Sequence, residues 1–233
     1  MNLLTPPATC PSAAAHADSC VHCAASPLRR YGWYRRLHAR ALAQGNRRYE
    51  AAIAPAKRAL LGSLAGTVLE IGPGTGSSLG FFGPGVRWIG AEPNAAMHPF
   101  LQAAARRCGR PIELLEAGAE ALPLADASVD HVVCSLVLCS VVDPAAVLAE
   151  VRRVLRPGGR FVFIEHVAAE PGTWLRRMQR ALRGVQAVVG DGCAPDRETL
   201  SFIESAGFEW VVSSREPMPV PLVGPHLIGF ALR

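Results

Sequence analysis

The strongest constraint on this chain is Val68-Leu69-Glu70-Ile71-Gly72-Pro73-Gly74-Thr75-Gly76, an apolar run with one embedded acid that breaks into glycines at alternate positions. The run is too short for a helix, and its β-branched ends suit a buried strand. Glycine suits such a break because the backbone must take positive φ and let a ligand approach without a Cβ in the way. The pattern predicts a strand, a tight turn and then a helix. That is the first unit of a doubly wound α/β sheet, with its ligand at the carboxyl edge of the strands.

Two ligand classes use such a loop. A dinucleotide-binding loop has its third glycine three residues after the second, with the helix N-terminus facing a pyrophosphate. Here Ser77 holds that position, the third glycine comes one residue earlier, and Glu70 stands two residues before the first. A buried acid there repels a pyrophosphate and attracts an ammonium group, which favours S-adenosylmethionine with its amine and cationic sulfur. The second mark is an acid ending the next strand, where ribose hydroxyls lie. Val86-Arg87-Trp88-Ile89-Gly90-Ala91-Glu92 supplies it, and Pro93-Asn94 then breaks the strand and caps a helix to about Arg107.

With these residues in place, the chain resembles the class I S-adenosylmethionine-dependent methyltransferases over about two thirds of its length. Gly118-Ala119-Glu120-Ala121-Leu122-Pro123, Asp130 to Ser135 and Leu155-Arg156-Pro157-Gly158-Gly159 follow in that family's order. Within it the chain is most similar to the alkyl-thiol S-methyltransferases of the methyltransferase-like seven group. The carriers are Leu136-Val137-Leu138-Cys139-Ser140-Val141, Glu165-His166-Val167-Ala168-Ala169-Glu170 and Asp191-Gly192-Cys193. The expected fold is a Rossmann-like, doubly wound, seven-stranded α/β sheet, mostly parallel with an antiparallel last strand. The expected activity is methyl transfer from S-adenosylmethionine to a small hydrophobic thiol. A lipid (phosphatidylethanolamine-type) or quinone acceptor is the alternative, and a non-catalytic cofactor-binding module is the alternative of another class.

The expected cofactor contacts are Glu70, Gly72, Gly74, Gly76, Glu92, Pro93, Ala119, Glu120, Ser135 and Leu136. Ala119 and Glu120 follow a third strand over Ile112 to Ala117 and suit an adenine edge, which needs an amide and a carboxylate beside an apolar slot. Ser135 and Leu136 end a fourth strand, Val129 to Ser135, whose apolar run implies burial on both faces. Helix Pro144 to Leu155 and strand Arg160 to Ile164 come next, so His166 emerges at the carboxyl edge. The resemblance of the strings around His166 and Asp191 implies a shared acceptor pocket. There Asp191 would orient His166 or raise its basicity, and His166 would take the thiol proton. Cys134 and Cys139 are given no chemistry, because small buried cysteines are common core residues and no nearby histidine or helix end is evident.

The remaining segments frame this unit. Residues 1–27 are rich in Ala, Pro, Ser and Thr without apolar periodicity and read as a loosely attached tail. Its Cys10, His16, Cys20, His22 and Cys23 lack a second Cys-x-x-Cys, and no metal is expected. Residues 28–64 read as a basic helical segment and 65–233 as the methyltransferase domain. Within the former, Arg29 to Arg48 alternate with Tyr31, Trp33, Tyr34 and Leu37. This fits a lid whose aromatics pack inward while its arginines face water, with peripheral membrane contact through 28–48 as the alternative. Tyr49 to Leu64 is a helix interrupted near Pro55, with Tyr49 a weak cofactor contact.

Beyond the fifth strand, Thr173 to Val189 form a basic helical insertion, and Asp196 caps a helix over Thr199 to Ala206. Strands Phe208 to Ser214 and Leu227 to Leu232 close the chain, and a proline-rich loop carrying His226 reaches over the site. The net charge of +5 is almost all arginine, Lys57 being the only lysine, and nucleic-acid partners are not expected. Seven cysteines, no signal-peptide pattern and no long apolar run suggest a cytoplasmic protein with free thiols.

Overall fold

The computed structural model describes residues 27–45 and 47–233. Apart from Pro27, the expected tail and its cysteine and histidine group lie outside the described residues. Seven strands form one sheet in the order β3-β2-β1-β4-β5-β7-β6. They are β1 (Gly66–Ile71), β2 (Val86–Ala91), β3 (Ile112–Leu115), β4 (Val129–Ser135), β5 (Leu155–His166), β6 (Trp210–Pro217) and β7 (Pro225–Leu232). The pairs among β1 to β5 are parallel, and β7 runs antiparallel to both β5 and β6. The chain leaves β1 toward β2 and β3, then returns to place β4 on the other side of β1. The carboxyl ends of β1 and β4 therefore diverge, as at the binding crevice of other doubly wound sheets.

Alternation along the central strands buries both faces. Leu69, Ile71, Val132, Cys134, Phe161 and Phe163 share a core with Val147, Leu148 and Val151 of α4 (Pro144–Val154). Val68, Val133, Val162 and Trp88 face Leu61 and Leu101. These last two come from α2 (Arg47–Leu61) and α3 (His98–Arg107), while α1 (Gly32–Gln44) precedes them. Helices α5 (Trp174–Ala181), α6 (Arg183–Val189) and α7 (Thr199–Ser205) follow β5. Among the described residues no helix is long and apolar enough to cross a membrane.

Several local expectations change. No α-helix opens after Gly76. Residues 77–85 make turns and a short 3-10 helix, Leu79–Phe81, because Gly80, Gly83, Pro84 and Gly85 leave too little helix-forming chain. Pro55 sits inside an unbroken α2 on its exposed face, where water can satisfy the carbonyl it orphans. Asn94 forms a turn that accepts from the Ala96 N–H at 3.1 Å, and α3 starts only at His98. β3 stops at Leu115, and β5 begins at Leu155 and absorbs the Pro-Gly-Gly bend. Asp196 does not cap α7 but pairs with Arg183 at 3.5 Å. His226 lies within β7, opposite His166 in the ladder, rather than on a loop.

Candidate active site

One cavity of about 1080 Å³ runs along the carboxyl edge from Glu92 to Cys193. At its first end lies the glycine loop. Gly72, Gly74 and Gly76 all have positive φ, but each is glycine for a different reason. A Cβ on Gly72 would lie 2.5 Å from Val137 Cγ2, and one on Gly76 would lie 2.8 Å from Leu101 Cδ1, so these two serve close packing. A Cβ on Gly74 would meet nothing within 4 Å, which leaves its backbone bare toward the cavity.

Glu70 is buried, accepts from Trp88 Nε1 at 3.0 Å, and has its pKa raised by burial. Buried Lys57 bonds Ser77 Oγ at 2.9 Å and Glu50 at 3.1 Å and opposes that shift. This corner offers an acid and a cation, as a zwitterionic amino-acid group requires. Glu92 accepts from the Gly74 N–H at 3.0 Å and the Asn94 N–H at 2.8 Å, while burial raises its pKa. Each oxygen keeps acceptor capacity for a hydroxyl. Pro93 lies at the cavity rim, where Arg35 bonds its carbonyl.

Ala119 and Glu120 line the same cavity, on a turn rather than a helix start, and Glu120 accepts from the Val142 N–H at 3.3 Å. Ser135 ends β4 and Leu136 follows it, both lining the cavity beside the glycine loop. Leu136 has a φ of 59°, unusual for a bulky residue and typical of a constrained site. The residue that holds this bend was not foreseen. Glu165 is fully buried and accepts from Cys134 Sγ at 3.0 Å and from the Val137 and Leu138 N–H groups at 2.9 and 3.1 Å.

At the other end His166 Nε2 lies 2.9 Å from Cys193 Sγ, and Cys139 lines the cavity beside them. Hydrogen bonds from Cys139, then His166 and Gln186, hold the Cys193 thiol well below its usual pKa although burial opposes them. Cys139 is pushed upward by the same coupling. A histidine does therefore sit beside Cys139, contrary to the sequence expectation. Behind His166, His226 Nδ1 donates to the Gly224 carbonyl at 3.1 Å, and its Nε2 lies 3.2 Å from Tyr49 Oη. Its pKa falls to about 4 through burial.

The expected pairing of Asp191 with His166 is not formed. Arg29 Nε donates to Asp191 Oδ1 at 2.8 Å, and His38 Nδ1 lies 3.9 Å from Oδ2. Asp191 lines the cavity at a φ of 50° but serves the segment covering it. Tyr34 of α1 donates to the Val188 carbonyl at 2.6 Å, and Arg35 Nε donates to Asn94 Oδ1 at 3.2 Å. α1 thus bridges the two cavity ends. The orientation of the 28–48 stretch is partly the reverse of that expected, since Arg29 and Arg35 turn inward while Trp33 and Leu37 are each 57% exposed.

The volume, the bare Gly74 backbone and the buried acids fit S-adenosylmethionine with space for an acceptor beyond Ser135. Comparison with known proteins agrees. A family profile described as a methyltransferase domain matches residues 69–163. The thiol S-methyltransferase TMT1B of Homo sapiens is 42% identical over 71% of this chain and 70% of its own length. The human thiol S-methyltransferase TMT1A is 40% identical over 72% and 70%. The solved structure of an S-adenosylmethionine-dependent methyltransferase of Thermotoga maritima, a possible histamine N-methyltransferase, is similar in fold. It aligns with a TM-score of 0.61 at 22% identity, covering 80% of this chain and 89% of that one.

Proposed function

The chain belongs to the S-adenosylmethionine-dependent methyltransferases, in the company of the thiol S-methyltransferases, and from that premise we propose that it methylates a small hydrophobic thiol. The observation that carries the acceptor is the His166–Cys193 contact at the far end of the cofactor cavity. A thiol attacks only as a thiolate, and this corner already holds one sulfur in a setting that favours the anion. The cofactor supplies an electrophilic methyl group on a sulfonium. Glu70, Lys57 and the bare Gly74 backbone are read as holding its amino-acid end, Glu92 its ribose, and Ala119 with Glu120 its adenine. Ser135 and Leu136 are read as flanking the reacting centre.

The remaining groups orient the acceptor and exclude water. Leu42, Val137, Val141 and Val223 line the cavity and suit an apolar acceptor body. His166 is assigned the task of letting the acceptor thiol reach its ionised state. Asp191 is assigned to positioning, through Arg29 and the 28–64 segment that covers the cavity. A cytoplasmic location accompanies this reading. Exposed Trp33 and Leu37 beside arginines support membrane-surface contact through 28–48 as a route for amphiphilic acceptors.

The test is incubation of the protein with methyl-labelled cofactor and panels of thiols, amines and quinols. Label should enter thiols. Labelled quinol or amine alone would replace the thiol reading with the quinone or lipid one. His166→Gln should lose more turnover at neutral than at alkaline pH, where the free thiol ionises unaided. Equal loss at both would assign His166 to packing.

A further inference from the structure

We propose that Cys139, Cys193 and His166 bind one Zn²⁺ ion whose fourth coordination position opens into the cavity and receives the acceptor sulfur. This rests on the thiol reading above and names the means of ionisation. It also departs from the expectation of a metal-free site.

The ligand atoms of the three residues all lie within 4.8 Å of one another, and all three residues are buried. Tetrahedral zinc, at about 2.3 Å from sulfur and about 2.0–2.1 Å from nitrogen, holds its ligand atoms roughly 3.5–3.8 Å apart. Small side-chain rotations reach that geometry, and His166 need only draw back from its 2.9 Å contact. Two thiolates and an imidazole are a set that selects zinc over harder cations. Three protein ligands with one open place is the arrangement of catalytic rather than structural zinc. All three residues also line the cavity rather than lying wholly within the core. His166 Nδ1 is buried and has no hydrogen-bond partner among the described residues.

The three ligands arrive from different parts of the chain, yet the backbone around each is held. Glu165 pins the Val137 and Leu138 amides directly before Cys139. The Ala194 N–H donates to the Cys139 carbonyl at 2.8 Å, clamping the Cys193 segment to the Cys139 segment. His166 is the last residue of β5, in register with His226.

Binding releases the protons of Cys139 and Cys193 to solvent. An acceptor thiol taking the fourth position gives up its own proton to solvent and remains as a zinc-bound thiolate at neutral pH, by the Lewis-acid effect that lowers the pKa of zinc-bound water. Its sulfur bonds to the methyl carbon as the carbon–sulfonium bond breaks. The neutral thioether is a weak ligand and leaves, returning the open position.

The test titrates the metal-stripped full chain with Co²⁺, whose absorption reports thiolate ligation and tetrahedral geometry, and then displaces it with Zn²⁺. One equivalent per chain should bind. Cys139→Ser and Cys193→Ser should each weaken Zn²⁺ binding by more than about 100-fold, beyond the 10–100-fold typical of losing an outer-shell partner. Calorimetry with S-adenosylmethionine checks that each variant is folded. The combined variant Cys10→Ser, Cys20→Ser, Cys23→Ser should keep the metal, because the proposed protein ligands are Cys139, His166 and Cys193 alone. Failure of the wild type to bind, or loss of the metal in the combined variant alone, overturns the site. A Co²⁺ spectrum unmoved by a thiol that is turned over overturns acceptor ligation and leaves the thiol reading standing. Metal binding without any thiol turnover overturns the thiol reading and leaves the site standing.

Discussion

The two ends of the cavity are built in opposite ways. The cofactor end draws on residues 70–76 and 92–94, two short strings at the tips of adjacent parallel strands, and the hydrogen bonds of the Glu70 and Glu92 carboxylates span 18 residues or fewer. The acceptor end collects Arg29, Tyr49, Cys139, His166, Asp191, Cys193 and His226, with contacts that reach across 162 and 177 residues. A site made from one turn and one neighbouring strand is fixed once β1 and β2 pair. A site gathered from the whole chain depends on every element that carries it, so its geometry can change without disturbing the cofactor loop.

That contrast can be broken by experiment. Glu165→Ala should have the largest effect, about 3–5 kcal/mol of stability by denaturant unfolding, because it strands the Val137 and Leu138 amides in a dry site. Glu165→Gln should recover part of this. If Glu165→Ala unfolds at the wild-type midpoint, the acceptor end is not held as described. Glu92→Ala should weaken cofactor binding by about 1.5–3 kcal/mol in calorimetry, since a charged acceptor is lost. The KM for the thiol should stay unchanged, and a parallel rise would mean that the two ends are coupled.

The next effect depends on pH. His226 holds a pKa near 4 in the folded chain against 6.5 as its ordinary value. As pH falls below 6.5 the unfolded chain takes up a proton that the native chain refuses until about 4, so this contribution to stability is present above 6.5 and lost across that window. His226→Gln should flatten the fall in unfolding midpoint between those pH values, and an unchanged slope would refute the assignment. Arg29→Ala should cost least, below about 1 kcal/mol in stability, because the ion pair with Asp191 is part-exposed. It should raise KM through a looser cover, and an unaltered KM would detach the 28–64 segment from acceptor binding.

Legibility in the sequence followed the same division. The succession of strands along the chain and the placing of Glu70 and Glu92 as buried acids beside the loop follow from patterns a few residues long. The separate duties of the glycines did not, since Val137 and Leu101, which crowd Gly72 and Gly76, come from β4's end and from α3. Cys139 looked inert because no histidine stands near it in the chain, yet β5 ends beside it and delivers His166. Asp191 looked like a partner for His166 because both strings mark the same family. Arg29, from the opposite end of the chain, takes that carboxylate instead. The helix after Gly76 failed for a local reason, the glycines and proline of residues 80–85 outweighing the usual strand-turn-helix rule.

The bond from Trp88 to Glu70 gives the molecule an optical consequence. Trp33, Trp174 and Trp210 are 57%, 69% and 68% exposed, whereas Trp88 is 2% exposed. Emission from the chain therefore divides into a red-shifted component from three wet indoles and a blue-shifted one from a single dry indole. That dry indole donates its proton to the carboxylate expected to meet the cofactor's ammonium group. Arrival of the cation redistributes charge at the far end of the hydrogen bond, and the blue component should change while the red one stays constant. The protein carries its own label-free gauge of cofactor occupancy.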